Sequence, residues 1–350
     1  MLKNRLYPTP TTTHSPIGAV ARWLAGCAAA IILTTPAAAE VSEVKLARQF
    51  GIHYLPMVIM EHQKMVEQEA KALGINTLKV SWPQISGGAS SNDALLSGAI
   101  DFAAVGTGPL IVLWDKSKGI VDVKAVAAVS DVPMTLTTRN PKVTKLEDFT
   151  DMDKIALPAA KTSMQAITLQ MAAAKIWGDA NYDKLDRLTV SMRHPDGMAT
   201  MLSGQGEVTA HFTAAPYDFQ ELENPNIRKI LTSYDVYGGS ATLIVLTTTA
   251  KFHEQNPKVY KAILVALEKA MDLIKKNPRQ AAEIYLTMTK EKTSVDAMVK
   301  MITDPLIRFT TTPSSMYPTA QFMHKVGRIK NMPASWKDLF FPDVHGLPGS

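Results

Sequence analysis

Apolar and polar positions along this chain switch between two periods. Short apolar runs at Leu78–Trp82, Ile100–Val105 and Val123–Val129, and again at Lys154–Leu157, Leu188–Met192 and Val208–Phe212, predict β-strands. Ile100–Val105 is almost wholly apolar, as a strand covered on both faces requires. A further β-like run lies within Glu43–Ile52. Between the strands the period lengthens. Val58, Ile59, Met65, Val66 and Ala70 recur near helical spacing, and Gly74 stands where a glycine ends a helix. Met164–Trp177 predicts a longer helix, and Asp93–Ser97, Asp196–Ser203 and Pro216–Leu222 predict shorter ones. The order of strand, small-residue turn and helix thus runs once through Val129 and starts again at Lys154. This alternation predicts an α/β protein with mostly parallel sheets flanked by helices.

The last third reads differently. Thr242–Thr248 predicts one more strand, and helices follow. Asn256 before Pro257 and Asn277 before Pro278 predict capped starts. Tyr260, Ile263, Leu264, Leu267, Met271 and Ile274 form one apolar stripe. Ser294 is expected to cap a helix running to Ile302. No low-complexity linker separates the two α/β units, so two lobes sharing a hinge are expected. Residues 40–134 and 236–350 would form lobe 1 and residues 135–235 lobe 2. The two crossover segments are expected near Val132–Leu136 and Thr232–Gly239.

Residues 1–39 do not read as fold. They carry Lys3, Arg5 and Arg22 and no acid, then an apolar stretch from Trp23 to Leu33, then Ala37-Ala38-Ala39. This order predicts a secretory signal peptide cleaved after Ala39. Leu24-Ala25-Gly26-Cys27 resembles a lipobox, but Arg22 precedes it closely and most of the apolar run follows it. Cleavage of a soluble periplasmic protein is therefore preferred over lipidation at Cys27. The apolar run is about eleven residues, short of the roughly 20 that span a bilayer.

Composition sharpens this picture. The 350 residues are 46% hydrophobic and 20% charged, which excludes a disordered chain and a polytopic membrane protein. The net charge of +5 falls to +2 once the three leader cations are removed, and no Lys/Arg stripe points to nucleic acid. Cys27 is the one cysteine, so a disulfide framework and a cysteine-ligated metal are excluded. A monomer without cofactor or metal is expected.

Three predicted helix starts follow strands and small or hydroxylated residues: Gly88-Ala89-Ser90, Gly106-Thr107-Gly108 and Lys161-Thr162-Ser163. A helix start exposes unpaired N–H groups and partial positive charge. In an open parallel sheet these starts lie at the carboxyl edge, where ligands bind. Together they predict a cradle for a small oxyanion. Tyr54 before Pro56, and Tyr217 after Pro216, are candidate aromatic walls. Trp82, Trp114 and Phe212 read more readily as core. Arg193, after the second strand of the second unit, and Lys161 are candidate cations, and Thr213 is a further candidate contact. The methionines are scattered among apolar positions, which points to core filling rather than to copper.

The same segments carry a family resemblance. Val80–Gly88 (VSWPQISGG), Ala94–Phe102 (ALLSGAIDF) and Val105–Pro109 (VGTGP) resemble the periplasmic solute-binding proteins of nitrate, aliphatic sulfonate and taurine ABC importers. Leu146–Phe149 and Lys154–Pro158 are similar to that family's entry into its second lobe. Leu202–Val208 through Pro216 is similar to its repeated glycine–strand–proline motif. The resemblance covers roughly residues 41 to 280. Asp151-Met152-Asp153 replaces the family's Lys-Gly-Lys, and Ala159–Ser163 replaces its Gly-Ser-rich loop. The resemblance implies a two-lobed periplasmic binding protein fold. It also implies a soluble receptor that closes on a small solute and passes it to a membrane permease.

Two rivals remain open on the sequence. One is an enzyme on the same fold, similar to the thiamine-pyrimidine synthase, with His53 or His194 as base. The other is a periplasmic sensor subunit for a membrane kinase. Enzyme motifs are thin: the chain has no HExxH, no GxSxG and no GxxxxGK[ST].

Overall fold

Residues 7–10 and 40–350 are described by the computed structural model. The predicted cleavage point after Ala39 and the Cys27 alternative lie outside the described residues. Glu40–Ser350 forms one unit containing two five-stranded sheets.

The first sheet is built by β1 (Glu43–Ala47), β2 (Lys79–Ser81), β3 (Phe102–Gly106) and β4 (Val123–Ser130). β5 (Met134–Thr138), β6 (Lys154–Leu157), β7 (Thr189–Ser191), β8 (Val208–Ala214) and β9 (Arg228–Thr232) form the second sheet. β10 (Ile244–Thr249) returns to the first. The orders are β2-β1-β3-β10-β4 and β7-β6-β8-β5-β9. In each sheet the first three strands run parallel. The strand that arrives from the other lobe, β10 or β5, inserts antiparallel between its neighbours. Each sheet therefore has four strands pointing one way, as expected, and one reversed strand, the crossover strand β10 or β5. A crossover strand enters from the hinge end, opposite to strands fed by a βα turn.

In lobe 1, α1 (Leu55–Gln63) and α2 (Met65–Ala72) occupy the predicted long helix, broken where Lys64 takes a left-handed φ of 50°. α3 (Gly88–Leu96) and α4 (Thr107–Ser117) follow β2 and β3. In lobe 2, α5 (Met164–Trp177), α6 (His194–Ser203), α7 (Tyr217–Leu222) and α8 (Ser233–Tyr237) follow β6, β7, β8 and β9 in turn. The C-terminal part contributes α9 (Ala250–Gln255), α10 (Pro257–Lys276), α11 (Pro278–Thr289), α12 (Val295–Ile302) and α13 (Met316–Lys325). α10 buries Tyr260, Ile263, Leu267, Met271 and Ile274 as its stripe requires. Ser294 caps α12, its hydroxyl accepting from the Ala297 N–H at 3.1 Å. Asn256 and Asn277 do not cap by side chain. Asn256 instead accepts from the Val41 N–H at 2.9 Å, which pins the N-terminal edge of lobe 1 to the C-terminal helices.

The chain leaves the first sheet after Ser130 and returns at Ile244. Asp131, fully buried, stands at the first passage. Its carboxylate accepts from Thr242 Oγ1 at 2.9 Å, Ser314 Oγ at 2.8 Å and Arg308 Nη2 at 2.6 Å. One side chain thus ties both crossovers to the C-terminal segment.

Candidate functional site

The two lobes meet in a cleft of about 40 Å³. Lobe 1 contributes Gln49, Phe50, His53 and Tyr54, then the Ser86–Gly88 turn, Gly106 and Pro109. Lobe 2 contributes Pro158, Ser163, Met164, Gln165, Arg193 and His194. None of the residues that line the cleft is an acid.

The starts of α3, α5 and α6 open on this cleft, and that of α4 borders it through Gly106 and Pro109. Gly87, with φ of +87°, turns the chain into α3, and its N–H donates to Gln49 Oε1 at 2.9 Å. A Cβ on Gly88 would stand 2.5 Å from Pro109 Cγ, so the turn closes only around glycine. Ser163 caps α5, accepting from the Ala166 N–H at 3.2 Å. Arg193 precedes α6 and folds onto that helix's own Asp196, with contacts of 2.7 and 3.0 Å.

The start of α4 is closed off. The Gly108 N–H points at Met164 Sδ, 3.3 Å away. A Cβ on Gly106 would lie 3.0 Å from Met164 Cβ, and one on Gly108 would lie 2.2 Å from Ile167 Cδ1. The first turn of α5 in lobe 2 therefore seals the α4 start of lobe 1. A second direct tie between lobes is the Ile52 N–H, donating to the Ala215 carbonyl at 3.0 Å.

His53 brings a buried, unpaired polar atom to the cleft. It is 3% exposed and its Nδ1 has no hydrogen-bond partner. Burial pushes its pKa down to about 3, so the ring stays neutral. His194 is buried and held well below the usual histidine range, first by desolvation and then by the neighbouring His211 and His53.

Of the residues singled out from the sequence, Tyr54, Gly88, Gly106, Ser163 and Arg193 line the cleft. Six lie elsewhere. Thr107 is buried, and its hydroxyl donates to the Thr242 carbonyl at 2.7 Å, bracing β3 against the returning chain. Ser90 is exposed on the outer side of the first turn of α3. Ala89 and Thr162 line a separate hollow of about 140 Å³ with Lys116 and Arg328. Lys161 is exposed in a left-handed conformation, and its carbonyl accepts from the Arg328 guanidinium. Thr213 is fully buried behind the cleft wall, its Oγ1 3.0 Å from His194 Nδ1. For those beside helix starts the physical reason is shared: a helix start aims only some of its residues inward, and sequence spacing does not say which; Thr213 instead lies on β8. Tyr217 stacks on His194 with ring centroids 5.7 Å apart. It lines a larger hollow of about 550 Å³ that shares Gln49, Phe50 and Arg193 with the cleft. Gln165 was missed. Its one signal is its place two residues after the Ser163 cap.

A family model described as the NMT1-like family matches residues 37–288. The chain belongs to the NMT1-like family. Three solved structures show the fold of this member. The alkanesulfonate-binding protein of Xanthomonas axonopodis pv. citri, bound to MOPS, is 16% identical, with a TM-score of 0.65, over 83% of this chain and 97% of its own. The periplasmic aliphatic sulphonate binding protein of Escherichia coli is 16% identical, with a TM-score of 0.62, over 86% and 92%. The periplasmic nitrate-binding protein of Synechocystis is 15% identical, with a TM-score of 0.63, over 85% and 84%. No curated protein matches the chain. The two-lobed binding-protein fold expected from the sequence is the fold observed.

Among the described residues, no group of three or more His, Cys, Asp or Glu is placed to hold a metal ion. No helix among them is long and apolar enough to cross a membrane.

Proposed function

We propose that this protein is a soluble periplasmic receptor that captures a small anion-bearing solute, sulfonate-, nitrate- or taurine-like, between its lobes. It delivers that solute as a monomer to the permease of an ABC importer. The observation that carries the reading is the cleft itself: both lobes line it, three helix starts open on it, and no carboxylate lines it. The α3 turn at Gly88, the α5 cap at Ser163 and the neutral His53 would hold the anion. Tyr54 would wall it, and Arg193 would close over it on release from Asp196. Residues 135–235 would move against the rest about the two crossovers tied by Asp131. Where the solute has an organic tail, the 550 Å³ hollow beyond Phe50 and Arg193 would take it.

Catalysis is disfavoured by the same geometry. His53 has no carboxylate to orient it, and both ring nitrogens of His194 are engaged by protein groups. The test is isothermal titration with nitrate, methanesulfonate, taurine and ethylamine. Heat from the anions and none from the amine is expected. Selective binding of the amine would overturn the reading. Mass spectrometry of ligand co-purified with the protein would then name the solute.

A further inference from the structure

Behind the lobe 2 wall of the cleft runs a chain of buried hydrogen bonds. Glu221 of α7 places Oε1 2.6 Å from Nδ1 of His211 on β8, and its Oε2 accepts from Thr137 Oγ1 of β5 at 2.6 Å. His211 Nε2 lies 3.0 Å from Nδ1 of His194, the first residue of α6. His194 Nε2 lies 3.2 Å from the amide nitrogen of Gln165 in α5. All four residues are buried, and His194 and Gln165 also line the cleft. A Cβ at Gly197 of α6 would stand 2.7 Å from His211 Nε2, so glycine there lets the ring lie beneath the helix.

Proton accounting leaves two arrangements. An ionised Glu221 only accepts, so His211 Nδ1 carries a proton in both. A single proton lies between His211 Nε2 and His194 Nδ1, and Thr213 Oγ1, also 3.0 Å from that Nδ1, can accept or donate to suit either arrangement. In the first arrangement it belongs to His194. The His194 Nε2 then accepts from the Gln165 NH₂, and the amide's carbonyl oxygen is left for the cleft. The second arrangement holds one proton more. His211 is an imidazolium facing Glu221, His194 accepts at Nδ1 and carries its proton on Nε2. The Gln165 amide then turns over to accept that proton and leaves its NH₂ for the cleft.

We propose that Gln165 reports the protonation of the Glu221–His211–His194 relay to the cleft, so that capture of an anion takes up one proton. This rests on the anion-receptor reading above. A carbonyl oxygen repels an anion and an amide N–H binds it, so the anion selects the protonated arrangement, and the coupling is reciprocal. His194 is neutral in both, in keeping with its burial. All but one of the other groups facing the relay are neutral or paired. His53 is uncharged, Tyr217 keeps its proton, and Arg193 is paired with Asp196. Asp218 on α7 is pushed up to about 7 by burial.

Isothermal titration of the full protein with sodium nitrate and sodium methanesulfonate, from pH 5 to 8 in bis-tris and Tris, tests this. Affinity should fall about tenfold per pH unit on the alkaline side, the slope for one coupled proton. The slope should flatten in Gln165→Met, which keeps the side chain's size and removes the amide, and in Glu221→Gln. A flat profile in the unsubstituted protein overturns the proposal. If neither anion binds, the receptor reading has failed instead, and ¹⁵N NMR of the histidine rings in the unliganded protein still tests the relay. The proton that the relay gains on acidification should appear on His211 and not on His194. A His211 ring that gains no proton on acidification overturns the proposal.

Discussion

Replacing Asp131 by alanine removes the acceptor that joins both crossovers to the C-terminal segment. Two hydroxyl donors, Thr242 and Ser314, approach within 2.9 Å of this fully buried carboxylate. Hydrogen bonds to a charged group contribute about 1.5–3 kcal/mol each. Part is recovered, because Thr242 Oγ1 and Ser314 Oγ stand 3.4 Å apart and can pair with each other. Arg308 is 53% exposed, so solvent screens its contact to about 0–1 kcal/mol. The backbone pair between Asp131 and Arg308 survives substitution, with both bonds at 2.8 Å. The expected net loss for Asp131→Ala is therefore about 3 kcal/mol. Asp131→Asn keeps one acceptor oxygen and should lose about 1 kcal/mol. Urea denaturation reads both as a fall in midpoint at unchanged slope. A loss below about 1 kcal/mol for the alanine variant would refute the claim that this side chain holds the hinge together.

Ser163→Ala should lower stability by about 1 kcal/mol through loss of the α5 cap, whereas Thr162→Ala should leave stability and anion affinity unchanged, since Thr162 lines a different hollow; thermal denaturation and titration of the single variants separate the two. Gly88→Ala should cost about 1–3 kcal/mol, because the new Cβ meets the rigid Pro109 ring, and a melting temperature equal to the parent's would contradict this. Burial raises the Asp218 carboxyl to about 7. The folded state therefore favours its protonated form, and stability falls as pH rises from the unfolded value near 4 through 7, by up to about 4 kcal/mol. Asp218→Asn keeps an acceptor for the Thr135 hydroxyl, so urea midpoints at pH 5 and pH 8 should converge in that variant; a pH dependence unchanged from the parent would exclude Asp218 as its source.

Periodicity by itself determined which segments are strands and which are helices wherever burial and apolarity coincide. Ile100–Val105, Met164–Trp177 and the Tyr260–Ile274 stripe needed no more than this, because an apolar face must be covered whatever covers it. Two strands escaped. β9 is a half-exposed edge strand reading Arg228–Thr232, and β5 is fully buried yet carries Thr135, Thr137 and Thr138. Those threonines are affordable inside because Asp218, Glu221 and the Thr209 carbonyl accept their protons, and these partners lie at least seventy residues away. The candidate site followed the same division. The turns that would begin helices were legible from their glycines and hydroxyls. Tertiary packing decided which of them faces the cleft. Met164 and Ile167 close the start of α4, while Gln165, His194, His211 and Glu221 converge from three helices and a strand. A local pattern encodes whether a side chain is covered. Only the folded chain brings together the distant groups that cover it, and for polar side chains those partners determine both the cost of burial and the chemistry.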